Sequence, residues 1–314
     1  MNVVQQMEAA ARATVAVHGR PGVGTGAVVA ALEALGVFEV NGGELVNGGE
    51  PPDVTVRVVA DAVKPEDVSA VQQAGRGPVL VALTKADTHA LGPGGPVETA
   101  RRHCAALAAA AGAPVLPVAG LLAVAALDPA VLDEQLITAL RVLAGEPADL
   151  RTAEAFVHGT HSVCADVRRQ LVQALDLFGI AHAVVTLRND PAAGVGEVQD
   201  VLRRVSEIDG LAHRIAELAA PARYRRLREA LEALEFAAIT DAATAAALQS
   251  DEVVLTTMAV ALDVLAAAGV ADGPTGHLDR ARHWQRYARG PVAALHRSCA
   301  RDLTAGELVL WSRR

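Results

Sequence analysis

The first 145 residues alternate short valine-rich runs with segments of helical periodicity, and this alternation restricts the fold more than any other feature. Helical patterns lie between the runs, near residues 26–35, 65–74, 97–111 and 132–144. Strands that alternate with helices pair in parallel through right-handed crossovers. We therefore predict an α/β domain with a parallel sheet, whose strands are residues 14–18, 54–60, 79–84 and 115–118.

The chain changes character near residue 150. Gly145-Glu146-Pro147 is a helix stop, and beyond it an apolar period of 3.6 residues dominates. We predict one domain over residues 1–150 and an all-helical domain over residues 151–314. Residues 38–46, with Asn41-Gly42-Gly43 at their centre, predict a short hairpin attached to the sheet. The later helices are predicted at residues 195–208, 211–218, 223–236, 241–248, 253–268 and 278–302.

Composition and charge exclude several classes of protein. The formal net charge of −8 argues against the phosphate attraction that dominates nucleic-acid binding, so no nucleic-acid partner is expected. The three cysteines, Cys104, Cys164 and Cys299, are too far apart for a zinc ribbon or a disulfide framework. The first twelve residues read as a polar helix and lack a signal-peptide pattern. We expect a cytoplasmic protein.

A glycine-rich turn joins the first strand to the first helix of the sheet domain. A strand, such a turn and a helix start together point backbone N–H groups at a phosphate. Gly19 and Gly24 match the phosphate-loop pattern G-x-x-x-x-G-K-[ST], with Gly22 between them. Thr25 stands where the pattern has lysine, and Gly26 stands where it has Ser or Thr.

The two replaced residues remove specific contacts. The lysine of a phosphate loop contacts the β- and γ-phosphates, and the hydroxyl holds Mg²⁺. Losing two charge-assisted contacts of ~1.5–3 kcal/mol each weakens binding by ~10²–10⁴-fold. Micromolar nucleotide binding would survive this loss, whereas fast hydrolysis would not.

Two other interpretations of the turn stay open. Gly22-x-Gly24-x-x-Ala27 fits the dinucleotide-binding pattern, with Glu44 at about the distance of a ribose-binding acid, although this register begins after the strand has ended near Gly19. The turn could also be a tight strand-to-helix connection that binds nothing.

A second motif follows the third predicted strand. Thr84-Lys85-Ala86-Asp87 matches the [NT]-K-x-D guanine-recognition motif, in which the Asp accepts hydrogen bonds from guanine and the Lys stem lies over the base. Only Lys64 and Lys85 among the 28 basic residues are lysines, so the presence of a lysine at position 85 supports the motif. The two motifs occur in the order that a guanine-nucleotide site requires.

With these motifs in place, the chain resembles a known family. Residues 15–32 resemble the first motif of Era-like and dynamin-like GTPases, and residues 114–123, which include Ala119, resemble their fifth motif. The run is especially similar to actinobacterial dynamin-like GTPases of unassigned role. Residues 176–181 and 206–211 resemble the helical region that follows such domains. The resemblance implies a shortened P-loop GTPase-like domain that binds GTP or GDP, followed by helices.

The resemblance implies a set of binding residues, and the departures from the family pattern limit their chemistry. The implied set is Gly19, Gly22, Gly24, Thr25, Gly26, Ala27, Thr84, Lys85, Asp87 and Ala119. Roughly forty residues are missing between Gly19 and Thr84 relative to a Ras-like domain, the length of the switch segments. No D-x-x-G turn occurs there, and the best candidate for a Mg²⁺-binding acid is Asp61, for which a turn or helix-capping role ahead of Pro65 is favoured.

Two further clusters of residues carry weaker functional signals. His158, His161 and Cys164 would share one side of a helix, but no fourth ligand has a recognisable spacing, so no metal site is predicted. Arginines near the C-terminus accompany Trp284, Tyr287 and Trp311 as a candidate membrane surface. Acidic neighbours dilute that charge, so a solvated helix face is favoured over peripheral membrane contact.

The sequence therefore favours a GTPase-like regulatory or scaffolding protein with a degenerate guanine-nucleotide site. We expect it to act through its helical part on a protein partner or as a homo-oligomer. No catalytic residue is assigned. Mg²⁺ is expected only together with bound GTP or GDP, because the hydroxyl that would hold it is missing. The alternatives are a slow genuine GTPase that uses Asp61, and a dinucleotide-dependent enzyme.

Overall fold

The computed structural model describes residues 2–42, 51–75, 77–89 and 92–313. It is an α/β protein with a five-stranded parallel sheet and a helical C-terminal part. In chain order the elements are α1 Val3–Ala11, β1 Ala13–Gly19, α2 Thr25–Ala34, β2 Phe38–Gly42, β3 Val54–Ala60, α3 Pro65–Gln73, β4 Val79–Thr84, a 3₁₀ turn Ala86–Thr88, α4 Gly95–Ala111, β5 Val115–Pro117, α5 Gly120–Leu127, α6 Glu134–Gly145, α7 Ala153–His158, α8 Ala165–Asn189, α9 Val195–Ser206, α10 Ile208–Ala237, α11 Ala242–Leu248, α12 Asp251–Ala267, α13 His277–Arg289 and α14 Ala294–Ser312.

The sheet has the strand order β2-β1-β3-β4-β5. Val17 pairs with Val56 between β1 and β3, and Val56 with Leu80 between β3 and β4, in parallel register. The predicted parallel sheet is confirmed. This order is a doubly wound one whose direction of winding reverses between β1 and β3, and in such sheets ligands bind outside the carboxyl ends of the strands at the reversal.

The two faces of the sheet differ. One face, which we call the valine face, is lined by fully buried alternate residues of the three strands: Val15 and Val17 of β1, Val54, Val56 and Val58 of β3, and Leu80 and Ala82 of β4. On the other face, called the α3/α4 face, Val59 and Leu83 pack in a buried cluster with Cys104 and Leu107 of α4. Right-handed crossovers put α2 on the side opposite α3 and α4, because the chain leaves β1 in the opposite direction.

The compact units of the structure differ from the boundary that the sequence places near residue 150. One unit is residues 15–213, and the other combines residues 1–14 with residues 214–314. The reason is a buried cluster that contains side chains from both sides of residue 150, among them Leu122, Leu140, Phe156, Leu171 and Leu202. Helices α7, α8 and α9 therefore complete the core of the unit that contains the sheet.

The second unit is helical and has its own core. It includes Tyr224, Leu265, Trp284 and Leu303, all nearly or fully buried. Because Trp284 is a core residue, it does not contribute to the candidate membrane surface, where Trp311 remains about half exposed.

Helix α1 is attached to the second unit through α10. Arg223 Nε donates to the Ala11 carbonyl at 2.6 Å, and Arg226 Nε donates to the Ala10 carbonyl at 3.0 Å. Carbonyls in the last turn of a helix have no partner inside that helix, and cations there also interact favourably with the helix dipole.

Two helix predictions in the second unit are wrong, for opposite reasons. Residues 211–218 and 223–236 form one helix, α10, which runs through Pro221. A proline costs ~3 kcal/mol in a helix interior, and Ala220 and Tyr224 beside it are buried in the core of the unit. Conversely, predicted helix 278–302 is divided into α13 and α14 around Gly290-Pro291.

The predicted hairpin is described only in part. Of the predicted hairpin at 38–46, residues 38–42 form β2, and residues 43–46 lie outside the described part of the chain.

Within the described part, α8 is the one helix that is long and apolar enough by length and composition to cross a membrane. Its residues Leu171, Leu175 and Ile180 are fully buried in the core of the first unit.

Candidate nucleotide-binding site

The loop between β1 and α2 has the backbone form of an anion-binding nest. Gly22 and Gly24 have positive φ angles of 82° and 88°, which glycine adopts without steric cost. Gly24 is the N-cap of α2, and Thr25 begins the helix. A left-handed residue followed by right-handed ones directs successive N–H groups toward one point.

The N–H groups of this loop are available to a ligand. Val23 N–H donates to the Arg20 carbonyl at 3.4 Å, and Ala27 N–H donates to the Gly24 carbonyl at 3.2 Å. Among the described residues, the N–H groups of Gly22, Gly24, Thr25 and Gly26 have no acceptor. These four groups lie at a helix N-terminus, where the helix dipole also favours an anion. Ala27 is no donor, because its N–H is used inside the loop.

The positions of the missing lysine and hydroxyl have different surroundings. The Thr25 hydroxyl is turned toward Gly19, where any β-carbon would overlap it. That hydroxyl is buried and has no hydrogen-bond partner in the described part of the chain. A β-carbon at Gly26 would meet nothing within 4 Å. The loop thus has room for the serine that it lacks.

Thr84 joins the second motif to the loop. Its side chain is buried, and its hydroxyl oxygen lies 2.5 Å from the Val23 carbonyl oxygen and 3.0 Å from that of Val59. A hydroxyl has one proton, so it donates to one of these carbonyls at a time. Thr84 therefore holds the loop against β3 and β4 and is not itself exposed to a ligand.

Lys85 and Asp87 follow Thr84 at the same edge of the sheet. Lys85 has a left-handed backbone with a φ of 55°, and its side chain is exposed. Asp87 is half-buried in the 3₁₀ turn. Burial raises the pKa of Asp87 and the charge of Asp176 adds to the rise, whereas its own N–H, His89 and Lys85 act in the opposite direction. No other described residue donates a hydrogen bond to this carboxylate.

Asp176 is a residue of this site that sequence patterns did not single out by itself. It interrupts α8 with φ 52° and ψ 176°, a conformation that costs ~1–3 kcal/mol in a residue with a side chain. Its Oδ1 accepts from the Leu177 N–H at 2.6 Å. The kink holds a second negative charge near Asp87, within the 176–181 segment that carries part of the family resemblance.

Ala119 has a structural role. Its N–H donates to the Ser206 carbonyl at 2.9 Å, and its side chain is buried. That N–H is therefore unavailable to the oxygen of a base. Ser206 and Glu207 connect α9 to α10, and Arg101 of α4 binds Glu207 at 2.7 Å. The resemblance at 206–211 thus falls on residues that support the turn after β5.

No family model, curated protein or solved structure matches this chain. The resemblance to Era-like and dynamin-like GTPases therefore stays a prediction from the sequence motifs.

Two arginines and a buried carboxylate lie beside the loop. Asp67 of α3 is 1% exposed and accepts from Arg20 Nε at 3.2 Å, from Arg57 Nη2 at 2.8 Å and from the Lys64 N–H at 3.0 Å. Burial raises the pKa of Asp67, but the Lys64 N–H and the two guanidinium groups outweigh it, so the pKa lies below its ordinary value. The sequence signal that could have revealed this cluster is Arg57, a charged residue inside the valine-rich strand 54–60.

The candidate metal ligands are dispersed. Asp61 is exposed, with a φ of 63°, in a turn where the Ala62 N–H donates to the Ala60 carbonyl, and the N-cap of α3 is Lys64. Asp61 is therefore part of the turn and does not cap helix α3. Among the described residues no group of three or more metal-ligating side chains occurs.

The proposed helix face of His158, His161 and Cys164 does not exist. Helix α7 ends at His158, and Cys164 precedes α8. His161 lies between the helices, with its ring nitrogens 2.8 Å from the Glu146 carbonyl oxygen and 3.0 Å from the Val163 nitrogen.

Proposed function

We propose that this protein is a GTPase-like regulatory or scaffolding protein whose degenerate site binds GDP or GTP weakly. One observation carries the proposal: the Thr84 hydroxyl connects a loop with four available N–H groups to the strand that ends in Lys85 and Asp87. Phosphate-binding and base-binding groups thus share one edge of the sheet. The same edge is where doubly wound sheets bind ligands.

Each part of the site has a counterpart in a guanine nucleotide. The N–H groups of Gly22, Gly24, Thr25 and Gly26 would bind phosphate oxygens. The Lys85 stem would cover one side of the base. Asp87, a half-buried carboxylate without a donor from another described residue, would accept the N–H groups of guanine. Adenine lacks that pattern of donors.

Efficient hydrolysis requires groups that this loop lacks. Thr25 and Gly26 supply neither the cation nor the Mg²⁺-binding hydroxyl, and the Arg20 side chain is bound to Asp67. We therefore propose that the nucleotide acts as a bound signal and that the helices convey its presence to a protein partner or to a second copy of the chain.

Base recognition can be tested with matched acidic variants. The unmodified protein should bind GDP at least about tenfold more tightly than ADP, a difference of about 1.4 kcal/mol. Asp87→Ala should remove this preference, and Asp61→Ala, which removes an exposed acid from the neighbouring strand end, should keep it. Calorimetric titration of nucleotide-free protein measures both. Equal affinities of the unmodified protein for GDP and ADP would exclude guanine recognition.

Turnover is expected to be slower than the ~3–5 × 10⁻⁴ s⁻¹ of an unassisted small GTPase. Phosphate release by purified protein with Mg²⁺ and GTP measures it. Gly24→Val, which cannot adopt the positive φ of that position without strain, serves as the background control. Faster turnover that disappears in Gly24→Val and falls in Asp61→Ala would instead favour the slow-GTPase alternative.

Titration with NAD addresses the dinucleotide alternative, whose Glu44 lies outside the described residues.

A further inference from the structure

A cavity of about 610 Å³ lies against the α3/α4 face of the sheet. It runs along β1, β3 and the start of β4, and α3 forms one of its walls. One end is polar and includes His18 and Arg57, which are opposite each other in the β1/β3 register. The other end is apolar and includes Ala74 and Val79. Its size is in the ~300–1,000 Å³ range of small-molecule sites.

The sequence of the strands explains why this face is open. Parallel strands covered on both faces are near-continuous apolar runs. In β1 and β3, however, Thr14, Ala16, His18, Thr55 and Arg57 alternate with buried valines. On the α3/α4 face, Val59, Val81 and Leu83 of β3 and β4 pack in a buried cluster, whereas polar residues of β1 and β3 line the cavity.

The polar end of the cavity has unused hydrogen-bonding capacity and a positive charge. Arg57 binds Asp67 through Nε and Nη2, and its Nη1 has no partner among the described residues. Because Arg20 also binds Asp67, two guanidinium groups face one carboxylate. His18 Nε2 and Thr25 Oγ1 are covered from solvent and also lack partners in the described part of the chain. Buried polar atoms without partners are rare in folded proteins and require an explanation such as a missing bound group.

We propose that this cavity binds a small organic anion, a carboxylate or a phosphate monoester attached to a short apolar body. The anion lies at Arg57, where the Nη1 group that Asp67 leaves unused donates to a carboxylate or phosphate oxygen. The apolar body lies along Ala74 and Val79. The site uses neither Lys85 nor Asp87 of the proposed base-binding residues, but Gly19 and Thr25 of the phosphate-type loop also line the cavity.

Titration of the full chain with benzoate, phenyl phosphate and benzamide tests this site. Benzamide has nearly the shape of benzoate without its charge. At least one of the two anions should bind at least about tenfold more tightly than benzamide. Comparison of benzoate with phenyl phosphate shows which anionic group the site prefers. Amide NMR spectra should show the largest shifts at Thr55, Arg57 and Ala74.

Two variants examine space and charge separately. Thr55→Phe fills the cavity with a residue that β-strands favour, and it should abolish binding of the anion. Arg57→Gln should weaken binding at least about tenfold. The matched control Arg204→Gln changes an exposed arginine, and Asp87→Ala changes the base-binding acid; both should bind the anion normally.

Several results would overturn the proposal. They are the absence of binding by either anion at about 10 mM, equal affinities for benzoate and benzamide, and binding that Thr55→Phe leaves intact. If Arg57→Gln fails to fold, Thr55→Phe still decides the outcome, because it leaves the ion pairs of Asp67 in place. Loss of GDP binding has no bearing on this result, since the anion is titrated without nucleotide.

Discussion

Asp67→Ala is expected to destabilise the unit of residues 15–213 by about 3–5 kcal/mol, the usual cost of removing one partner from a buried ion pair. Asp67 is almost fully buried and is the common acceptor of Arg20 and Arg57. Without its carboxylate, two half-buried guanidinium groups remain close together with no counter-charge. The melting temperature should fall by roughly 2–4 °C for each kcal/mol in a domain of this size.

The measurement must report on the correct unit. Both tryptophans and both tyrosines lie in residues 214–314, so intrinsic fluorescence would follow the other unit. Far-UV circular dichroism or calorimetry is therefore required. The matched control is Asp166→Ala, which removes an exposed partner of Arg169 and should change stability by less than about 1 kcal/mol. A similar small effect for Asp67→Ala would contradict the ion-pair network.

The same carboxylate predicts a dependence on pH. Its pKa is lower in the folded protein than in the unfolded chain, so folding favours the ionised form. Its stabilising contribution is complete above the unfolded pKa, near 3.9 for aspartate, and is lost as the pH falls through the lower folded value. The stability difference between the unmodified protein and Asp67→Ala should therefore be constant from about pH 5 to 8 and decrease below about pH 4.

Restoring the phosphate-loop pattern with Thr25→Lys and Gly26→Ser should raise the affinity for GDP and GTP by ~10²-fold or more. The N–H groups of Gly22 and Gly24 already have no acceptor among the described residues, and a β-carbon at Gly26 would meet no atom within 4 Å. The new lysine adds a cation for the β- and γ-phosphates, and the new hydroxyl adds a Mg²⁺ ligand. The serine at position 26 has room in the present loop.

A double variant of similar size and without the charge separates chemistry from helix stability. Thr25→Gln with Gly26→Ala removes the same glycine and lengthens the same side chain, but it supplies neither cation nor hydroxyl. Calorimetric titration with GDP and GTP, with and without Mg²⁺, should distinguish the two double variants by the ~10²-fold gain. If the repaired protein folds and gains no affinity, the loop is a structural turn and the proposed nucleotide site must be abandoned.

Local sequence predicted the parts of this fold that depend on neighbouring residues. The bounds of β3 and β4 agree with prediction because valine-rich runs there end at turn residues. The continuity of α10 through Pro221 and the core that unites Leu140 with Leu171 depend on contacts between residues far apart in the chain, which periodicity does not record.

The candidate site was predictable to the same degree. The motifs placed Gly24 and Asp87 after two strands of the same parallel sheet, but they gave no sign that the Ala119 N–H is bound to Ser206. They also did not reveal that Arg20, an unspecified position of the phosphate-loop pattern, is bound to a carboxylate 47 residues away. Such pairings follow from the packing of α3 and α9.

The arginines that hold α1 also affect the order in which the chain can fold during its synthesis. The Ala11 carbonyl and the Arg223 side chain that binds it are 212 residues apart. At the usual ~5–20 residues per second, a ribosome needs roughly 10–40 s to add that length. All of residues 15–213 are therefore synthesised before the arginines that bind α1 exist. During that interval α1 remains outside its final core. The polar residues of α1, including Gln5, Gln6 and Glu8, are compatible with exposure of this segment to water during that interval.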